Sequence, residues 1–151
     1  MNKRLIDEAN MRVKSDDTCI HVGDFSMRGG WKYRRRLNGN WFFMRGNHDK
    51  NNKVKSVCDW MFLRLANYNV FVTHVPYYYH KPDGTASYLV PDKLIEVIET
   101  MCDFAVCGHV HEKWDVSYEG KIPCINVGVD VRDYRPMSDA ELITCYERIK
   151  K

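Results

Sequence analysis

Two short histidine-containing motifs follow apolar stretches of the chain, and both carry side chains that could bind a metal ion. The first is Gly-Asn-His-Asp at 46–49, and the second is Gly-His-Val-His at 108–111. Short apolar runs predict buried strands, so both motifs should lie in loops at strand ends, where open α/β sheets collect polar groups for binding and catalysis. Residues two apart in an extended chain point to the same side, so His109 and His111 could reach one metal or two neighbouring ones.

Two further strand ends have the same design. Asp24 follows an apolar run with a glycine beside it, and His74 ends another apolar run at 70–73. Each residue alone is more often a turn former or a satisfied core residue. Together the strand ends offer these candidate ligands: Asp24, Asn47, His74, His109 and His111. Such a mixed nitrogen and oxygen set suits Mn, Fe or Zn better than a set of oxygen donors alone would.

The elements that must position these ligands alternate along the chain. Helical spacing predicts helices at 2–14, 31–37, 51–58 and 91–101, the last with a proline at its start. Apolar runs predict strands at 19–22, 41–44, 68–73, 104–107, 113–118, 122–127 and 142–146, with a hairpin turn at Glu119-Gly120. Early helices followed by a late hairpin predict an α/β fold in the form of a layered sandwich.

The motifs occur in a characteristic order: Gly-Asp at 23–24, Gly-Asn-His-Asp at 46–49, Thr-His at 73–74 and Gly-His-x-His at 108–111. This order resembles the calcineurin-like metallophosphoesterase superfamily, in particular its small bacterial and phage members. The resemblance extends from about Asp17 to Ser138 and includes residues 126–130 and Arg135-Pro136. It implies an αββα sandwich that hydrolyses phosphoesters with two divalent metal ions, most often Mn, with Fe, Zn or Ni as the other options.

The resemblance also implies roles for the ligands. Asp24 would bridge the two ions, while Asn47, His74 and His109 would complete one site and His111 would belong to the other. Two ions roughly 3.5 to 4 Å apart supply a nucleophile and neutralise the charge on phosphorus, and a metal-bound hydroxide attacks in line.

Two residues of the first motif would act beside the metals. His48 would stabilise or protonate the leaving oxygen, as a positioned imidazole can. Asp49 would orient His48, or alternatively would cap the following helix. These two are the catalytic candidates of the sequence.

The sequence departs from the family at its start. Family members begin with a strand that ends in Asp-x-His and supplies two ligands of the first metal site, whereas these 151 residues contain no such motif and begin in a helical pattern. Three explanations compete: Met1 is internal to a longer protein, another polypeptide supplies the strand, or the chain is degenerate. True absence of the strand predicts one strong metal site and weak or no catalysis. The alternative function is then an interaction scaffold on the same fold, like the retromer subunit.

Residues outside the metal motifs suggest how a substrate would bind. A basic cluster consists of Arg28, Lys32, Arg34, Arg35 and Arg36. It is either a solvated helix face or an electropositive rim for phosphate groups, and the second option makes nucleic acid binding a third, weaker hypothesis. Three tyrosines at 77–79 could stack on a base or pack their loop against the domain. Tyr77 and Arg135 are the substrate-contact candidates.

Composition limits the class of protein. With 151 residues, a net charge of +3 and a pI near 8.5, the chain fits one domain over residues 1–151 that needs no disulfides. The six cysteines are expected to be reduced thiols. The apolar runs are too short for a membrane span or a secretory signal, so the cytoplasm is the expected location. Expected partners are a phosphoester or nucleotide substrate and a second copy of the chain in a homodimer.

Overall fold

The computed structural model of the chain describes residues 2–49, 54–79 and 90–150. Its helices are α1 Asn2–Arg12, α2 Trp31–Arg34, α3 Asp92–Met101 and α4 Asp139–Ile149. Its strands are β1 Thr18–His21, β2 Asn40–Phe43, β3 Trp60–Leu65, β4 Tyr68–Thr73, β5 Phe104–Cys107, β6 Val116–Ser117 and β7 Cys124–Asn126. Two 3-10 helices, His111–Lys113 and Val129–Val131, follow β5 and β7.

The strands form two sheets. β1 and β2 pair in parallel, and the larger sheet has the order β3-β4-β5-β7-β6. The three central strands β4, β5 and β7 run parallel, while the outer strands β3 and β6 pair antiparallel to their neighbours. Because carboxyl ends of parallel strands meet at one edge of a sheet, the loops after β4, β5 and β7 leave from the same edge.

Alternating residues of the central strands bury two layers of core. One layer contains Phe71, Ala105 and Cys124 and packs against α3 through Ile98. The other contains Val70, Val72, Phe104, Val106 and Ile125 and packs against Leu142 and Tyr146 of α4 and against Ile20 of β1. Alternation of this kind is the ordinary result of the two-residue period of a strand with both faces covered. The α/β layered fold predicted from the sequence is confirmed.

The strand predicted at 142–146 is wrong, because these residues lie in α4. A capping box begins this helix: the Glu141 N–H donates to the Ser138 hydroxyl at 3.2 Å, and the Ser138 N–H donates to the Glu141 carboxylate at 2.8 Å. Leu142 and Tyr146 are one helical turn apart and are the two buried residues of α4. Their spacing satisfies the helical period as well as the strand pattern.

The helix predicted at 51–58 is also wrong over its described part. Residues 54–57 have no helical hydrogen bonding, the Val57 N–H donates to the Phe43 carbonyl, and Cys58 forms a parallel bridge with Met44. Residues 51–53 lie outside the described residues. Sequence reasoning missed β3, which pairs with β4 through a tight turn that contains Ala66 at φ +49°.

The strands after β5 are shorter than predicted. The strand expected at 113–118 is reduced to β6, because His111–Lys113 form a 3-10 helix, and the strand expected at 122–127 is reduced to β7. Glu119 and Gly120 lie at bends in the connection 118–123 between this antiparallel pair, which is longer than the hairpin turn predicted there. All six cysteines are free thiols. Within the described ranges, the helices are too short or too polar to cross a bilayer.

Candidate metal centre

Four strands deliver the candidate ligands to one place. Asp24 follows β1, Asn47 follows β2, His74 follows β4 and His109 follows β5. The Gly108 and His109 N–H groups both donate to the His74 carbonyl, at 3.1 and 3.0 Å. These backbone bonds join the loops after β4 and β5, so the histidine side chains are held by the main chain that carries them.

Two glycines permit the close approach of the loops. A Cβ on Gly46 would lie 2.1 Å from Asp24 Oδ1 and 2.3 Å from the Asp24 nitrogen, which no side chain could tolerate. Gly23 has φ +88°, and a Cβ there would lie 2.6 Å from His74 Nδ1. The glycines of the Gly-Asp and Gly-Asn-His-Asp motifs are therefore steric requirements of the centre.

Asp49 anchors the loop that carries Asp24. Its carboxylate accepts N–H bonds from Asp24 at 2.6 Å, Phe25 at 3.0 Å and Gly46 at 2.9 Å. Asp24 itself has φ +56°, a left-handed conformation that is uncommon outside glycine. The buried Asp49 carboxylate holds this backbone in place, a function that the sequence did not predict for it.

His74 lies at the centre of the ligand group. Its side chain is only 3% exposed, and Nδ1 lies 2.7 Å from the Val22 carbonyl. A carbonyl can only accept, so the neutral ring carries its proton on Nδ1 and presents a lone pair on Nε2. Nε2 lies 3.0 Å from Asn47 Oδ1, 3.1 Å from Asp24 Oδ2 and 3.3 Å from His109 Nδ1.

This convergence is characteristic of a cation site. In the neutral state of His74 no proton stands between Nε2 and the two oxygens, so the lone pairs repel one another unless a cation lies among them. Candidate ligand atoms of Asp24, His74 and His109 all lie within 4.8 Å of one another. A ring nitrogen bonded to a backbone carbonyl is also the usual arrangement behind a metal-binding histidine. The donor set fits a divalent transition metal.

The electrostatics of the centre favour the metal-binding protonation states. Burial alone would raise the pKa of Asp24, but its contact with His74 and the hydrogen bond from the His48 N–H outweigh burial and lower the pKa. Burial, reinforced by the nearby His74, lowers the pKa of His109. An ionised carboxylate and a neutral imidazole are the forms that bind metals.

The two remaining histidine candidates, His48 and His111, lie in different places from His74 and His109. The His48 backbone N–H donates to Asp24 Oδ1 at 2.8 Å, and its residue is exposed, so the ring stands at the solvent side of the centre. His111 does not join the Asp24 group. Its Nδ1 lies 2.7 Å from Asp130 Oδ2, and its candidate ligand atom groups with those of Glu112 and Asp130.

The two substrate-contact candidates also lie in different surroundings: Tyr77 is buried and Arg135 is exposed. Tyr77 is 1% exposed and its hydroxyl lies 3.4 Å from both the N–H and the carbonyl of Ile122, so it packs the loop and does not face a substrate. Tyr79 is the tyrosine that reaches the centre: it is 38% exposed and its ring lies 6.0 Å from that of His109. Arg135 is exposed, and its Nε donates to the Arg132 carbonyl at 3.3 Å.

Comparisons with known proteins found one matching family model and several similar structures. A family model described as the calcineurin-like phosphoesterase superfamily domain matches residues 1–142. No curated protein matches the chain in sequence. Among solved structures, a novel archaeal phosphodiesterase is similar at 22% identity and a TM-score of 0.53, covering 84% of this chain and 74% of that one.

The Vps29 proteins form a second group of similar structures. A Vps29 double mutant from Entamoeba histolytica is similar at 15% identity and a TM-score of 0.50, covering 82% of this chain and 62% of that one. Vps29 from Chaetomium thermophilum is similar at 11% identity and a TM-score of 0.49, with 80% of this chain and 58% of that one covered. The chain therefore spans less than two thirds of these Vps29 chains. At such identities the likeness describes the fold alone.

Proposed function

Since the chain belongs to the calcineurin-like phosphoesterase superfamily, we propose that it is a metal-dependent phosphoesterase that hydrolyses phosphodiester or small nucleotide phosphoester bonds. The observation that carries the proposal is the convergence of oxygen and nitrogen lone pairs on His74 Nε2. A divalent ion would be held by Asp24, Asn47, His74 and His109. Mn is a metal that fits this mixed donor set. A divalent ion bound there would activate water and neutralise charge on the phosphoryl group.

The residues of the chain would divide the remaining work. The carbonyl of Val22 fixes the tautomer of His74, and Asp49 fixes the backbone of Asp24. His48 stands at the solvent side, where its ring would donate a proton to the leaving oxygen. This arrangement keeps the ligands rigid and leaves the proton donor free to meet the substrate.

Phosphodiesters are the proposed substrate class because of the basic cluster, which follows Asp24 closely in the sequence. In the basic cluster, Arg34 donates to the Leu37 and Gly39 carbonyls and so closes the turn after α2. The other four side chains, Arg28, Lys32, Arg35 and Arg36, are exposed and form no salt bridge within the described part of the chain. Beside them Trp31 is 58% exposed. Exposed cations beside an exposed indole suit a phosphate backbone with attached bases.

Hydrolysis assays test the proposal. Bis(p-nitrophenyl) phosphate and p-nitrophenyl phosphate are offered to the Mn-reconstituted protein, to Asp24→Asn and to His109→Ala, with Asp92→Asn on the exposed start of α3 as the matched control. We expect Mn-dependent release of nitrophenol, faster from the diester, that both centre variants lose by at least about 100-fold and the control keeps. Equal rates in all four proteins would contradict the proposal and would favour a non-catalytic interaction protein on the same fold.

A further inference from the structure

A carboxylate contacts His111, the predicted metal ligand that lies outside the Asp24 group. Asp130, in the 3-10 helix after β7, places Oδ2 2.7 Å from Nδ1 of His111, in the 3-10 helix after β5. The His111 side chain is 71% exposed and that of Asp130 is 40% exposed. Neither the family match nor the sequence motifs assign Asp130 a role.

One buried side-chain amide holds the backbone on both sides of this pair through hydrogen bonds. Asn126 is fully buried, and its Nδ2 donates to the His111 carbonyl at 2.7 Å and to the Trp114 carbonyl at 2.9 Å. Its Oδ1 accepts the Gly128 N–H at 2.8 Å, two residues before Asp130. The same side chain thus fixes the backbone on both sides of the contact, including His111 at φ +48°.

We propose that Asp130 is a positioning residue for His111. By accepting the Nδ1–H bond, the carboxylate holds the neutral ring in the tautomer that leaves a lone pair on Nε2, and it directs that lone pair outward to a divalent cation. The inference rests on the proposed function for the identity of the cation. The contact itself and its effect on the ring do not depend on hydrolysis.

His74 provides the precedent within the same molecule. There Nδ1 also bonds an oxygen, the Val22 carbonyl, and Nε2 is the atom that meets the other ligands. The difference is the charge and exposure of the acceptor at His111. A carboxylate behind an imidazole makes the opposite nitrogen a stronger donor to a metal, and loss of such a partner typically weakens metal binding 10- to 100-fold.

The tautomer of His111 is the first test. Long-range ¹H–¹⁵N spectra of the metal-free protein, recorded about two units above the usual imidazole pKa near 6.5, report which ring nitrogen carries the proton. We expect Nδ1–H in the wild type and in Asp130→Asn, whose amide oxygen accepts the same bond, and a mixture in Asp130→Ala. Asp133→Ala, a matched control whose carboxylate pairs with Arg4, should keep the wild-type tautomer. An unchanged tautomer in Asp130→Ala would overturn the inference.

Metal titration is the second test. Calorimetry with Mn alone should show binding about 10- to 100-fold weaker at one site in Asp130→Ala, with Asp130→Asn closer to the wild type. The loss in Asp130→Ala/His111→Ala should equal that in His111→Ala, because Asp130 acts through the ring. Fully additive losses, together with an equal loss in Glu112→Gln, would overturn the positioning role and make Asp130 a direct ligand. If no variant hydrolyses phosphoesters while the tautomer responds as expected, the proposed function fails and this inference stands.

Discussion

Removing the Asp49 carboxylate should destabilise the fold and disorganise the metal centre together. Among the described residues the side chain accepts backbone N–H bonds from Asp24 and Gly46 on Oδ2 and from Phe25 on Oδ1. A hydrogen bond to a charged acceptor is worth about 1.5–3 kcal/mol, and bonds that share one carboxylate are not additive, so Asp49→Ala should cost roughly 3–5 kcal/mol. Asp49→Asn can retain the two bonds at one oxygen and should cost roughly 2 kcal/mol.

Urea unfolding of the metal-free proteins measures this cost, and calorimetry with Mn measures the effect on the centre. Without its anchor Asp24 can leave the left-handed conformation, so Mn affinity should fall in the same order as stability: wild type, Asp49→Asn, Asp49→Ala. Asp92→Ala, which removes an exposed carboxylate from the first turn of α3, should change both quantities little. A loss below about 1 kcal/mol in Asp49→Ala with unchanged Mn affinity would refute the reasoning.

Further predictions concern the glycine of the first motif, the C-terminal helix and the surface charge. Gly46→Ala should abolish high-affinity Mn binding in calorimetry, because its Cβ would overlap Asp24, and wild-type affinity would show that the loop yields freely. Ser138→Ala should lower the free energy of unfolding by about 1 kcal/mol in urea, since it removes the cap of α4; no change would contradict the cap. The hydrogen bond from Arg12, with that from Ser138, lowers the pKa of Glu141 to about 2. Because this folded-state pKa lies below the ordinary 4.5, the stabilisation is complete above pH 4.5 and is lost as pH falls towards 2. The pair is exposed, so the effect should stay below about 1 kcal/mol and disappear in Glu141→Gln, which acid-range urea titrations can check. Replacing Lys32, Arg35 and Arg36 by Ala should weaken binding of a labelled single-stranded oligonucleotide and lower its salt dependence in fluorescence anisotropy, whereas replacing the exposed Lys14, Lys55 and Lys93 should not.

The convergence of the candidate ligands was predictable because each of them follows a strand. Asp24, Asn47, His74 and His109 come together since the strand ends they follow meet at one place, a consequence of apolar runs that the sequence displays. His111 was expected beside His109 on the assumption of extended chain. His109 and Val110 form a turn that leads into the 3-10 helix at His111–Lys113, so the alternation of an extended chain does not apply there.

The predicted secondary structure was wrong where the spacing of apolar residues fitted both a helix and a strand. The segment around Leu142 and Tyr146 satisfied the strand period over five residues, and only the capping box at Ser138 and Glu141 separates it from a strand. The contacts that support the candidate ligands could not be predicted from the sequence for a different reason. The Asp49 bonds to Asp24 and Phe25, and the Asp130 bond to His111, join residues 19 to 25 positions apart, and no local pattern records such pairings.

The lone pairs around His74 also affect the stability of the protein and its resistance to proteolysis. A cation that relieves their repulsion binds the folded chain and not the unfolded one, so at 100 times its Kd it adds about 2.7 kcal/mol to the free energy of unfolding. That amount is a large part of the 5–15 kcal/mol that typically holds a domain together. The supply of such a cation would then set the fraction of molecules open to proteolysis, and its scarcity would lower the abundance of the protein.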